Sequence, residues 1–115
     1  MSKRRDIDFI EDILICLEKI KQYISDYSYD DFLNDYKTQD AIIRNIEIIG
    51  EASKKISPEL KSKYTKVPWK MIAGTRDRLI HGYFGVNIDI VWEIATIDVP
   101  ILEQEIKKIK DEFTG

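Results

Sequence analysis

Apolar side chains recur at steps of three and four along most of the chain. Over residues 7–27 they stand at Ile10, Ile13, Leu14, Leu17, Ile20, Ile24 and Tyr27. This spacing puts one stripe on a long helix and leaves Glu11, Glu18, Lys19 and Lys21 largely off it. Ser28, followed by Tyr29, Asp30 and Asp31, reads as a cap with carboxylates in a first helical turn. A short helix holding Phe32 and Leu33 should follow. A second long helix is predicted over residues 38–56, with Ile42, Ile46, Ile49 and Ala52 on one face and Ile43 and Ile56 at its margins. Ile48 falls off that face, so this helix is expected to meet two neighbours, and in so small a domain the second could be another subunit. Gly50 costs about 1 kcal/mol relative to alanine inside a helix. Its expected use is close backbone approach.

The rest of the chain is punctuated more often. Ser57 before Pro58 is a cap followed by proline at the first helical position, and that helix should end by Tyr64. Val67-Pro68-Trp69 opens another, on which Trp69, Ile72, Ala73, Arg76 and Ile80 share a face. Gly82 sits where a left-handed C-terminal residue belongs, so His81 is expected in the last turn and Tyr83 just beyond it. Asn87 can cap a final helix in which Ile88, Val91, Ala95, Val99, Leu102, Ile106, Ile109 and Phe113 stay in phase. The phase survives Pro100, which predicts one long helix kinked there. No repeat or linker is visible. The expected fold is all-α: a small antiparallel helical bundle forming one domain over residues 1–115.

Composition narrows the class. The chain has 115 residues, with 43% hydrophobic and 34% charged. A domain of this size has a poor surface-to-volume ratio, so dimerisation would help it. Cys16 is the single cysteine and lies among apolar residues, which makes it a core hydrophobe and excludes an intrachain disulfide. The cytosol is the natural compartment. Basic residues near Met1 are interrupted by Asp6 and Asp8, and no apolar stretch suited to a signal peptide or membrane span follows. The net charge is −3, but residues 54–78 carry eight basic groups against two acidic ones. That local excess of +6 leaves −9 for the rest, and it leads directly into the one histidine. Such a segment is either a solvated lysine-rich surface or the footprint of a polyanion.

The chemistry gathers in Gly74-Thr75-Arg76-Asp77-Arg78-Leu79-Ile80-His81-Gly82-Tyr83-Phe84-Gly85. On a regular helix Arg76 and His81 would be separated by about 140°. A long arginine and a histidine at a helix end can still flank one phosphate. Asp77, four residues before His81, is placed to orient the imidazole and favour its charged form. Breaking an RNA strand without a metal needs a base at the 2'-OH, an acid at the leaving 5'-oxygen and a cation on the phosphorane. Histidine and arginine suit these roles. With one histidine per chain, a twofold dimer would supply two proton carriers. A single histidine and a single cysteine make no zinc set. Asp30, Asp31 and Asp35 are explained by helix starts. Each residue also has a plainer role. His81 could serve a helix dipole, Arg76 could pair with Asp77 or Glu51, and Tyr83 and Phe84 could be packing anchors, as could Trp69 and Trp92.

The pattern Arg76-x-x-x-x-His81-x-Tyr83 resembles the HEPN superfamily and, within it, the HepT-like toxins. Asp77 takes the polar position that often follows the arginine. Ile49-Gly50-Glu51-Ala52-Ser53, Pro68-Trp69, Gly74-Thr75-Arg76-Asp77, His81-Gly82-Tyr83-Phe84 and Val91-Trp92 look like that family's landmarks in order, so the resemblance covers nearly the whole chain. It implies a HEPN-like bundle, a homodimer with the motifs at the twofold cleft, and metal-independent ribonuclease activity with no cofactor. It also implies a partner, a minimal nucleotidyltransferase antitoxin (MntA-like) that transfers AMP to the motif tyrosine. By this resemblance Arg76 and His81 would be catalytic and Tyr83 the AMP acceptor of a type VII-like toxin–antitoxin pair acting on RNA; Asp77 and Arg78 are expected to support the site. Rival readings are a non-catalytic helical dimer that binds nucleotide or RNA, and a subunit that only lends the nucleotidyltransferase its tyrosine.

Overall fold

The computed structural model describes residues 5–79 and 85–114. Three long helices carry the core: α1 (Asp6–Tyr23), α3 (Tyr36–Lys54) and α8 (Val99–Thr114). α1 lies between the other two, packed on both. The stripe read from the sequence is the reason. Ile10, Ile13, Leu17 and Ile20 of α1 are fully buried, together with Ile42 of α3 and Ile106 and Ile109 of α8. Cys16 is buried among them, and burial pushes its thiol pKa up. It behaves as a small hydrophobe.

Shorter helices close the ends: α2 (Tyr29–Leu33), α4 (Pro58–Lys63), α5 (Trp69–Ala73), α6 (Thr75–Leu79) and α7 (Ile88–Glu93). Their starts follow the capping residues. Ser28 accepts from the Asp31 amide while Asp31 accepts from the Ser28 amide, a reciprocal box. Ser57 accepts from the Leu60 amide with Pro58 at the first position, and Asn87 accepts from the Ile90 amide. Asp35 starts α3, ahead of the expected start at Thr38. Its carboxylate accepts from the Thr38 hydroxyl and the Tyr27 hydroxyl, each at 2.6 Å, and from the Thr38 amide. These bonds stabilise the charged form and hold the Asp35 pKa at about 2.

The structure departs from the periodicity in two places and bears it out in a third, the long C-terminal helix. The first helix was expected to reach Tyr27 but ends at Tyr23, and Asp26 turns the chain with φ 65°. Aspartate tolerates that left-handed conformation better than most residues. Ile24 and Tyr27 still pack against the core from outside the helix. The single helix expected from Trp69 to His81 is broken at Gly74 into α5 and α6. The final helix runs on through Pro100, and its irregularity is a π-helical turn at Ile94–Asp98, just before the proline. Pro100 cannot donate to the carbonyl four residues back, and a widened turn accommodates that loss. The Thr96 hydroxyl donates to the Trp92 carbonyl at 2.7 Å within the same stretch.

The two-sided apolar character of α3 also has an explanation within the chain. α3 meets α1 on one side and α5, α6 and α7 on others. Ile43 and Ile48 are partly buried against the core. A Cβ at Gly50 would lie 3.4 Å from the Ile72 carbonyl oxygen and 3.9 Å from that of Ala73. α5 therefore packs directly beside Gly50, at distances that an alanine Cβ would also tolerate, and this neighbour lies within the chain. The apolar side chains left most open to solvent in this part of the molecule are instead Met71, Ile97 and Ile101, at 47%, 55% and 62%.

Candidate functional site

α6 carries Arg76, Asp77 and Arg78, all three exposed. The close seating of α5 on Gly50 fixes where α6 begins, because only Gly74 separates the two helices. The Asp77 amide donates to the Gly74 carbonyl at 3.1 Å, and the Thr75 hydroxyl donates to that of Met71 at 3.0 Å. Leu79, 1% exposed, anchors the other end of α6 in the core. The Asn87 amide donates to the Leu79 carbonyl at 2.7 Å, tying the described segments together. His81 and Tyr83 lie outside the described residues.

The two arginines of α6 face different surroundings. Arg78 lies 4.0 Å from Asp98 on the π-helical turn. Burial pushes the Asp98 carboxyl pKa up, and Arg78 partly offsets that shift. Arg78 also lines an apolar hollow of about 240 Å³ floored by Leu17, Ile46, Ile49 and Leu102. Arg76 lines a separate hollow of about 160 Å³, with Arg44, Glu47, Gly50, Glu51, Lys54 and Ala73 among its walls. The alternative pairing of Arg76 with Asp77 or Glu51 does not occur within 4.0 Å; Glu51 is instead 3.4 Å from Lys54. Arg44 was not singled out by any motif. It shares α3 with Glu47, Glu51 and Lys54 at steps of three and four, a helical periodicity of charge that would have flagged it.

The basic segment is partly neutralised. Lys54 pairs with Glu51, Lys63 with Glu112 and Arg78 with Asp98. Lys55 sits 6.0 Å from the Phe9 ring centroid. Lys61, Lys66, Lys70 and Arg76 make no ion pair among the described residues, so part of the segment's positive charge is left without an ionic partner there. The tryptophans are structural. The Trp69 Nε1–H donates to the Tyr64 carbonyl at 3.0 Å, and the Trp92 ring packs on Phe32 at 5.2 Å. Among the described residues no helix is long and apolar enough to cross a membrane, and no three His, Cys, Asp or Glu side chains are grouped to hold a metal ion.

Comparison with known proteins accounts for this arrangement of a helical core and an arginine-bearing turn. The family model described as "Ribonuclease HepT-like" matches residues 13–109. The chain is 42% identical over 108 residues to "Probable ribonuclease HepT" of Thermococcus cleftensis, covering 94% of this chain and 98% of that one. It is 43% identical over 115 residues to "Putative RNase MJ0127" of Methanocaldococcus jannaschii, covering 100% of this chain and 95% of that one. It is 45% identical over 101 residues to "Putative RNase TTE0752" of Caldanaerobacter subterraneus, covering 88% and 90%. No solved structure matches at the same level of significance. An all-α fold matched by the family model over most of its length, with full-length relatives named as ribonucleases, places the chain in the HepT-like ribonuclease family.

Proposed function

We propose that the protein is a metal-independent endoribonuclease toxin that cleaves RNA by attack of the ribose 2'-OH on the adjacent phosphorus. The observation that carries this reading is Arg76. Its guanidinium is exposed and has no ionic partner among the described residues, and it precedes the one histidine by five positions. An exposed arginine five positions ahead of a proton carrier in the sequence suits a substrate phosphate. His81 would move the protons, and the Arg76 guanidinium would stabilise charge on the phosphorane. The 2'-OH oxygen bonds to phosphorus, the 5'-oxygen leaves with a proton, and a 2',3'-cyclic phosphate remains. Asp77 and Arg78 would support the site from the same helix.

One histidine cannot be base and acid in the same step, so the working site is a homodimer cleft with His81 from both copies. Met71, Ile97 and Ile101 are the apolar surface near α6 that a second copy would cover. Mass measurement in solution at micromolar concentration should give twice the 13.5 kDa chain. Ile101→Asp should lower both mass and activity. A monomer with full activity on RNA contradicts this assembly.

Tyr83 is the proposed control point. A minimal nucleotidyltransferase would join the tyrosine oxygen to the α-phosphorus of ATP and release pyrophosphate. The adduct adds a negative phosphodiester and a base to the motif that carries Arg76, and both oppose RNA binding. Tyr83→Phe should fold, keep ribonuclease activity and escape neutralisation. Intact-mass analysis after incubation with ATP and the partner should find AMP on the parent and none on the variant. Equal labelling of both proteins would move the acceptor to another residue.

A further inference from the structure

The hollow that Arg76 lines is lined also by a second arginine, Arg44 of α3. The two come from elements far apart in sequence and are brought to one concavity by the seating of α5 against Gly50. We propose that Arg44 grips an RNA backbone phosphate next to the scissile one, making this hollow a substrate subsite that adjoins Arg76. The inference rests on the ribonuclease reading and adds to it a binding residue from outside the motif.

Three features support it. The first is the pairing around Arg44. Asp40 and Glu47 stand four residues before and three after it, the spacings at which helical ion pairs form. Yet Arg44 has no ion pair within 4.0 Å among the described residues, while Lys54 at the other end of the same face is held by Glu51 at 3.4 Å. The second is charge. With Glu51 engaged by Lys54, the hollow retains two guanidiniums against one carboxylate, that of Glu47. A singly charged phosphodiester complements that balance. The third is shape. Gly50 and Ala73 line the same concavity, and the glycine leaves its α3 wall without a side chain at position 50. Guanidinium groups bind phosphate oxygens through paired N–H donors, and a strand lying across α3 and α6 would meet one such group on each side. Glu47, half-buried in the same wall, opposes the anion, which gives its removal the opposite sign from that of Arg44.

The test is binding of a short single-stranded RNA to the full chain carrying His81→Ala, so that the strand survives, with and without a second substitution. Adding Arg44→Ala should weaken binding about tenfold, the loss of one charge-assisted contact. It should also reduce the slope of log K against log salt by about 0.7, one phosphate's share on a single strand. Arg44→Lys should restore the slope and only part of the affinity, because the charge returns without the paired donors. Glu47→Gln should tighten binding. In the chain that retains His81, Arg44→Ala should raise KM more than it lowers kcat. Unchanged affinity and slope in Arg44→Ala, with RNA still bound by the parent, would overturn the role of Arg44 and leave the ribonuclease reading standing. No RNA binding by the parent at any salt would instead remove that reading, and this inference with it.

Discussion

His81→Ala should abolish RNA cleavage, because the chain has no other imidazole to take its place. Aspartate and glutamate are abundant, but a carboxylate near its ordinary pKa is a poor proton donor at neutral pH. Arg76→Ala should cost about 2.7–4 kcal/mol of transition-state stabilisation, the usual loss when one oxyanion donor is removed. That corresponds to roughly a hundredfold to a thousandfold in kcat. The arginine variant should fold, since Arg76 is exposed and makes no ion pair among the described residues. Single-turnover cleavage of a labelled RNA, with circular dichroism melting as a control for folding, reads both effects. Residual activity in His81→Ala at a tenth of the parent rate would assign proton transfer to another group.

Phe32→Ala should be the most damaging substitution for stability. Phe32 is fully buried, lies in a helix of five residues, and packs its ring on Trp92 at 5.2 Å. A helix this short has no stability of its own and depends on its anchor. The buried Gln39 amide also donates to the Phe32 carbonyl at 2.9 Å, so the anchor and the start of α3 are fastened together. Truncating a buried phenylalanine costs about 3–5 kcal/mol. Against a total of about 5–15 kcal/mol, that removes a large share of the stability of so small a domain. Urea unfolding followed by far-UV circular dichroism should show a midpoint well below that of the parent with a similar slope. A loss under 1 kcal/mol would mean that α2 is held by something other than Phe32.

Much of this fold was legible because its causes are local. A serine before Pro58, an asparagine before Ile88 and a serine three residues before Asp31 each start a helix by satisfying an amide that has no partner within the helix. The apolar stripe of α1 likewise names the residues that are buried. It did not name the end of the helix, because Ile24 and Tyr27 reach the core after the backbone has turned at Asp26. Periodicity reports which side chains point inward, and side chains outside a helix can keep the count. The break at Gly74 is settled by packing of α5 and α6 on α3, which no local pattern contains, whereas the irregularity before Pro100 has its local cause in the proline. The same limit applied to the second neighbour of α3, which from sequence could have been another subunit and proves to be α5, α6 and α7 of the same chain. It applied again at the candidate site. Arg76 was visible within its motif, whereas Arg44 becomes its neighbour only when α5 and α6 settle against α3.

The central claim is RNA cleavage by side chains of this protein without a metal ion. Its most direct test is incubation of the purified full chain with total RNA in EDTA, followed by analysis of the new termini. The account predicts cleavage at an undiminished rate, with 2',3'-cyclic phosphate and 5'-hydroxyl ends, and none with His81→Ala prepared in the same way. Cleavage that requires added magnesium, or products ending in a 3'-hydroxyl, would contradict it.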